Sequence, residues 1–395
     1  VRVALIITEI GRAVGGRFTF QEMITAAIRR VGMETDHEFL IFSAGVSRFT
    51  EGSCLWRGRR AISVARTITV QAGRDFQDRV IGKRLLHVRT PLQRRLDAAR
   101  VDLVWFPTTY VEDVDLPYIA TIFDLEHRQK PWFPEVTLRG EFERRDRMCT
   151  RYLPKATRVI VPNEAGRDQV VRFYNVSPEN CLPLAHPTPE FSLRAADEPR
   201  RRLEDVHALG VDGPYVLYPA QFWPHKNHAA ALDALRELRD RGDVLSLVLV
   251  GSDQGQREHV ERQAAEFGLA GAVHILGYVS DEELIALYQH AHALLYLSRF
   301  GPENLPPLEA FALGCPAIVE DVWGASEQCG DAALIIDSRD SEAVADAVRR
   351  AGDPSERARL VAAGAKRARA WTADDYVRGV IVFLDEFEQE RRLWA

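Results

Sequence analysis

Residues 298–316, SRFGPENLPPLEAFALGCP, gather the densest set of groups in this chain that could do chemistry. Glu303 and Glu309 are carboxylates, Gly301 to Asn304 is turn chemistry, and Pro306-Pro307 opens a helix that Gly314 ends. That spacing predicts Glu309 in the first turn. A loop ahead of a helix start offers N–H groups suited to anions, and a carboxylate can accept hydrogen bonds from paired hydroxyls. A sugar nucleotide has both features. A second candidate, Lys226, stands at a strand-to-helix turn in PAQFWPHKNH, beyond the carboxyl end of a predicted strand, where open α/β sheets place ligands. A cation at the positive end of a helix is unfavourable without an anion nearby, which weighs against a merely solvated lysine.

The elements that must position these groups alternate between strand and helix in both halves of the chain. Strands are predicted at 1–8, 37–44, 103–107, 118–124 and 158–163, with helices around 20–30 and 137–153. The pattern fails between Ala185 and Pro214, which is rich in Pro and charge, and then restarts with strands at 215–220, 245–251, 272–277, 292–298 and 316–320. The predicted fold class is α/β, with two doubly wound sheets. The expected organisation is an N-terminal domain over 1–195, a linker over 196–213, a C-terminal domain over 214–372 and a terminal helix over 373–395. With 395 residues, 46% of them hydrophobic, the chain can bury two cores.

No apolar run reaches the ~18–20 residues that span a bilayer, and VRVALIIT is too short and strand-like for a leader, so a cytoplasmic protein is expected. The cysteines at 54, 149, 181, 315 and 329 are scattered and lack metal-ligand spacing, consistent with a reducing compartment. Between Arg57 and Arg100 twelve Lys or Arg stand against three Asp in a chain whose net charge is −6. The stretch 81–100 mixes its basic residues with Ile and Leu. It reads either as a solvated basic helix face or as a peripheral contact with an anionic membrane. Nucleic acid is the poorer partner, since no recognition motif accompanies the patch.

The segment 298–316 resembles the C-terminal signature of the retaining glycosyltransferases of family four, which have the GT-B fold of two facing Rossmann-like domains with the donor site in the interdomain cleft. YPAQFWPHKNH (218–228) is similar to that family's phosphate-binding strand and loop. ILGYVSDEELIALYQHAHALLYLS (275–298) is similar to its base-binding segment, and IATIFDLEH (119–127) and Gly15-Gly16 match weaker landmarks. The resemblance implies that Lys226 clamps the donor diphosphate and Glu309 holds the ribose hydroxyls. It further implies that the backbone of Gly277, Tyr278 and Val279 holds the base edge, and that Asn304 and Leu305 present N–H groups to the β-phosphate or donor sugar. Gly15 and Gly16 approach a phosphate, and Asp124 or His127 makes the catalytic-side contact. The terminal helix is expected to cross back onto the N-terminal domain.

Three positions depart from the pattern. Relatives carry an Arg five residues before the Lys, where this chain has Gln221; Gln donates hydrogen bonds but brings no charge, and His225 is a candidate to compensate. The first of the family's two Glu residues is replaced by Gly301, with Glu303 close enough in sequence to offer a carboxylate. The His that commonly precedes the Asp is Phe123. Glu327 matches a Glu common in relatives and is a supporting candidate.

Asp113-Val114-Asp115 is read as turn chemistry before a strand rather than as a metal motif, and no metal or other cofactor is expected. The implied activity is transfer of a sugar from a nucleotide-diphosphate sugar to a glycan or lipid-linked acceptor hydroxyl, with retention, in polysaccharide assembly. Two other readings fit the departures: a sugar-nucleotide epimerase on the same fold, or a catalytically silent sugar-nucleotide-binding scaffold.

Overall fold

The computed structural model describes residues 1–8, 15–44, 53–57, 60–64 and 90–394; for 44, 53–57 and 60–64 only the backbone is considered. Two sheets carry the fold. The first contains β1 (Arg2–Thr8), β2 (Glu38–Ala44), β3 (Ser53–Arg57), β4 (Arg60–Val64), β5 (Leu103–Trp105), β6 (Tyr118–Thr121), β7 (Arg158–Val161) and β8 (Cys181–Pro183), in the order β4-β3-β2-β1-β5-β6-β7-β8. From β2 to β8 every pair is parallel, whereas β3 and β4 join antiparallel at the edge. The second contains β9 (Tyr215–Pro219), β10 (Ser246–Val250), β11 (Val273–Gly277), β12 (Ala293–Tyr296), β13 (Ala317–Glu320) and β14 (Ala333–Ile336), all parallel in the order β11-β10-β9-β12-β13-β14.

The continuous apolar runs make sense in this arrangement, because a parallel sheet covered on both faces buries every side chain of its central strands. Leu217, Val248, Leu249, Leu294 and Ile318 are fully buried in one cluster, and Ala4, Ile6, Val104, Phe106 and Val159 form part of another. Each sheet has one point where the order reverses, between β1 and β5 and between β9 and β12. The carboxyl ends of those strand pairs open a crevice, and ligands of doubly wound sheets bind there.

The chain crosses between the halves twice, side by side: Trp371 Nε1 donates to the Ala185 carbonyl at 2.8 Å. The helix Ala373–Arg391 begins at a capping box in which Thr372 and Asp375 satisfy each other's backbone N–H groups. It packs on the helix Gly16–Val31, where Tyr376 meets Phe20 edge-on at 5.5 Å and Arg30 pairs with Asp374 at 2.7 Å.

One expectation is corrected, and two others gain detail. Within the stretch expected as a linker over 196–213, the helix Leu203–His207 interrupts otherwise irregular chain, and it and the preceding helix Glu190–Ala196 both pack on helices of the second half. The helix expected over 137–153 is broken, because Arg139 (φ 59°) and Gly140 (φ 73°) are left-handed and the regular helix starts at Glu141. Residues 81–89 of the basic stretch lie outside the described residues. Its remainder forms the helix Pro91–Ala98, capped by Thr90, whose Leu92 and Leu96 are buried in the first-half core.

Among the described residues no helix is long and apolar enough to cross a membrane. Cys149, Cys181, Cys315 and Cys329 are buried free thiols. Asp113 pairs with Arg151, a surface contact that accounts for its charge.

Candidate active site

The second-half crevice is organised around Lys226. The turn Pro224–Lys226 follows β9, and Asn227 adopts a left-handed conformation (φ 52°) before the helix His228–Asp240 begins. The Lys226 ammonium crosses the β9/β12 reversal point to donate to Tyr296 Oη at 2.7 Å and Ser298 Oγ at 3.3 Å, and lies 5.1 Å from the Tyr296 ring centroid. Buried Tyr218 holds this loop from beneath, donating to the Lys226 carbonyl and accepting from Leu297 N at 3.0 Å. Among the described residues no carboxylate pairs with Lys226. A half-buried ammonium that faces only neutral hydroxyls is a site for an anion.

The loop that closes the crevice differs in detail from expectation. Gly301 occupies a left-handed conformation (φ 90°), and a Cβ there would lie 3.0 Å from the Glu303 carbonyl oxygen and 3.1 Å from Asn304 Nδ2. A Glu at 301 would therefore be strained in this loop, both by its backbone and by these close contacts. Glu303, expected to offer its carboxylate to the cleft, is buried instead under the chain crossing, where it accepts from His186 N and lies 3.4 Å from His186 Nδ1. Burial raises the Glu303 pKa well above the ordinary value and lowers that of His186 to about 4, so burial disfavours the charged form of both.

The Asn304 N–H, expected to face a phosphate, donates to Gln328 Oε1 at 3.0 Å, while Gln328 Nε2 returns a hydrogen bond to the Asn304 carbonyl at 2.7 Å. Leu305 is the first residue of its helix, so its N–H is one of those without an intrahelical acceptor.

Glu309 lies in the second turn of Leu305–Ala312 rather than the first, because the helix starts one residue ahead of the two prolines. Its side chain is buried and accepts from Tyr288 Oη at 2.7 Å through one oxygen; the other has no hydrogen-bond partner among the described residues. Burial pushes its pKa up to about 7, partly offset by the Tyr288 hydrogen bond.

Gly277 ends β11 and Tyr278 and Val279 follow it, with the Gly277 carbonyl accepting from Gly251 N at 2.7 Å and Tyr278 exposed. The capping pattern read from Ser280 and Glu283 is present, with Glu283 Oε2 2.7 Å from Ser280 N. Gln221 donates to Ser252 Oγ at 2.9 Å and accepts from Trp223 Nε1 at 3.1 Å.

His225 does not bring the charge that Gln221 lacks. Burial lowers its pKa to about 4, and its Nδ1–H and backbone N–H both donate to Glu135 of the first half. For Glu135, burial alone would raise the pKa, but the hydrogen bonds from His225 outweigh it and the carboxylate stays below the usual range. The His225 ring stacks on Phe300 at 4.3 Å.

On the first-half side, His127 is not presented to the cleft. Its ring is buried against Tyr174 and Phe142, Nε2 lies 2.8 Å from Tyr174 Oη, and burial followed by the Arg145 charge lowers its pKa to about 4. Asp124 caps the turn by accepting from Glu126 N at 3.1 Å and pairs with Arg145 at 3.3 Å.

The neighbour of His127 makes the contact that sequence reasoning missed: Glu126 Oε1 accepts from Gly301 N at 3.0 Å and its other oxygen lies 3.2 Å from Lys130 Nζ. Lys130 in turn donates to the Arg299 carbonyl, and Phe133 meets Phe300 edge-on at 4.9 Å. Glu327 spans the cleft as well, accepting from Glu164 N at 3.0 Å and Ala165 N at 3.1 Å, and so caps a first-half helix. Gly15 and Gly16 lie against the second half, where Cβ atoms would come within 3.9 Å of Gln221 Cδ and 3.4 Å of Leu305 Cδ1 respectively.

Residues 199–367 match the family model described as glycosyl transferases group 1. The chain is 27% identical over 252 residues to the D-inositol 3-phosphate glycosyltransferase of Acidothermus cellulolyticus, covering 61% of this chain and 55% of that protein. It is 27% identical over 218 residues to the O-antigen chain mannosyltransferase B of Escherichia coli, covering 52% and 55%. The chain thus spans about half the length of these curated relatives. Among solved structures, Anabaena HepE in complex with UDP and glucose superposes with a TM-score of 0.63 at 14% identity, over 97% of this chain and 99% of that one, a likeness of fold. The chain therefore has the GT-B fold of glycosyltransferases, and the part matching the group 1 glycosyl transferases builds its second sheet and the crevice around Lys226.

Proposed function

We propose that this chain is a retaining glycosyltransferase that moves a sugar from a nucleotide-diphosphate sugar to a hydroxyl of a glycan or lipid-linked acceptor, without a metal, in cytoplasmic polysaccharide assembly. The observation that carries the reading is Lys226, an ammonium held by Tyr296 and Ser298 at a sheet reversal point with no carboxylate partner among the described residues. It supplies charge where a diphosphate gains it on leaving. The free oxygen of Glu309 suits ribose hydroxyls, and the exposed Gly277–Val279 turn suits a base edge. The relatives lend weight, being named for transfer to inositol 3-phosphate and to O-antigen chains, and HepE holds UDP and glucose.

A thermal-shift screen against UDP-, GDP-, dTDP- and ADP-sugars tests this directly, since a ligand that binds only the folded state raises the melting temperature. A clear shift with one nucleotide class, with slow release of its nucleoside diphosphate, is expected. Binding without any release would favour the silent scaffold, and product formation without acceptor would favour the epimerase.

Glu309→Gln is expected to weaken nucleoside diphosphate binding by about tenfold while the protein stays folded, the scale of one lost charge-assisted hydrogen bond. The pH dependence carries a sign. Because burial puts the Glu309 pKa at about 7, lowering the pH through 7 protonates the carboxyl and removes its charge. Nucleotide affinity should fall with it, and that fall should be absent in Glu309→Gln. The free protein behaves oppositely: the raised pKa makes the folded state take up the proton more readily, so this group's contribution to stability increases as pH falls from about 7 towards 4.5. Calorimetric titrations at pH 6 and 8 measure the first effect; equal affinities at both would remove Glu309 from the ribose site.

A further inference from the structure

Gln221 leaves the diphosphate crevice with one cation from the second half. The first-half surface that faces it is the turn at Gly15 and Gly16, which lies against both Gln221 and Leu305. Arg17 is the next residue. Its Nη2 donates to Thr8 Oγ1 and Thr108 Oγ1, both at 3.3 Å. Thr8 ends β1, and Thr108 follows β5 by three residues, so the guanidinium bridges the reversal point of the first sheet as Lys226 bridges that of the second.

Arg17 also resembles Lys226 in what it lacks. Among the described residues no carboxylate pairs with it, and its Nε is buried without a hydrogen-bond partner. Burial and the nearby Arg144 both disfavour its charge, yet an arginine remains charged under all ordinary conditions. A cation with no counter-ion among the described residues is unfavourable in such a place unless an anion visits it.

We propose that Arg17 is the second cation of the diphosphate site, supplying from the first half the positive charge that Gln221 does not. This inference rests on the reading of the chain as a nucleotide-sugar transferase. In the transfer, the bond from the anomeric carbon to the β-phosphate oxygen breaks and its electron pair stays on the phosphate. The acceptor oxygen bonds to the anomeric carbon, and its proton passes to the departing phosphate oxygen. Lys226 and Arg17 neutralise the charge gained by the leaving group from opposite walls of the cleft. Their action therefore requires both halves to be together, which ties leaving-group departure to closure.

The test is calorimetric titration of UDP, GDP, dTDP and ADP into the wild-type protein, Lys226→Ala, Arg17→Ala, Arg17→Lys and the double variant Arg17→Ala/Gln221→Arg, with melting curves for each. For the nucleotide that the wild type binds, Arg17→Ala should lose about 10- to 100-fold in affinity, the range for one charged hydrogen-bonding group. Arg17→Lys should keep part of it, and the double variant should regain most of it. Restoration by a charge placed on the other wall could not follow from repair of folding. If Arg17→Ala binds as the wild type does while Lys226→Ala is weakened, the Arg17 assignment is overturned and the transferase reading stands. If Arg17→Ala is weakened but Gln221→Arg restores nothing, Arg17 only supports the turn and the assignment is again overturned. If the wild type binds none of the four, both fall.

Discussion

Replacing Lys226 by Ala is expected to lower sugar transfer by ~10²- to 10³-fold, the range for removing one preorganised group that stabilises charge in a transition state. The loss should appear in turnover rather than in folding. The ammonium contributes hydrogen bonds to Tyr296 and Ser298, but it also places an unpaired charge where Asn227 leads into the positive end of a helix. These effects oppose one another, so stability should change by no more than about 1 kcal/mol. Lys226→Met, which keeps the length of the side chain without its charge, should behave like the alanine variant. Initial rates of nucleoside diphosphate release, paired with melting curves, make the check. A variant that melts like the wild type and turns over within threefold of it would remove the ammonium from the reaction.

Gly324→Ala should have the largest effect on the folded state. Gly324 has φ 99°, and a Cβ there would lie 2.6 Å from the Pro302 carbonyl oxygen and 2.7 Å from Asn163 Nδ2. Those two atoms are themselves joined, since Asn163 Nδ2 donates to Pro302 O at 3.2 Å across the cleft. The methyl group would wedge between the halves at the point where the first-half helix cap meets the second-half loop. Left-handed backbone costs a non-glycine residue ~1–2 kcal/mol and overpacking a further ~1–3 kcal/mol, giving about 2–5 kcal/mol in total. Gly213→Ala separates the two contributions, because Gly213 has φ 80° with no atom within 4 Å of the added Cβ. It should lose only the backbone part. Equal melting temperatures for the two variants would mean that the contact between Pro302 and Asn163 does not hold the cleft together.

How far the sequence announces this molecule depends on the range of the interactions involved. The alternation of buried strands and helices is a local pattern, so the two parallel sheets and the position of Lys226 after β9 are legible in it. The capping box at Ser280 and Glu283 is equally local. What sequence cannot display is where a side chain points when one residue of error rotates it by about 100° around a helix. Glu126 and His127 are neighbours, yet one meets Gly301 of the opposite half and the other is buried on Tyr174.

The fate of the Asn304 N–H illustrates the second limit. Its acceptor, Gln328, lies 24 residues away and becomes a neighbour only when the helices pack. Glu303 shows a third. A carboxylate beside a turn reads as exposed, and only the chain crossing at His186 buries it. The short helices Glu190–Ala196 and Leu203–His207 follow the same logic: Pro and charge mark a change of pattern, while packing on the second half, which sequence does not display, supports the helices.

The departures of this chain from the common signature form one physical picture. A loop with a left-handed Gly301 would strain a Glu at that position, and Glu126 reaches across from the other half to hold that loop's backbone. Neutral His225 is tied to Glu135, and the proposed diphosphate site therefore relies on Lys226 with Arg17 opposite. The cleft is thus held by contacts from both halves.

The most direct test of the central claim is a crystal structure of the protein with the nucleoside diphosphate that binds it most tightly among UDP, GDP, dTDP and ADP. The account predicts phosphate oxygens within hydrogen-bonding distance of Lys226 Nζ, and the ribose hydroxyls on Glu309. A nucleotide bound elsewhere, with Lys226 still turned to Tyr296 and Ser298 and no phosphate near it, would contradict it.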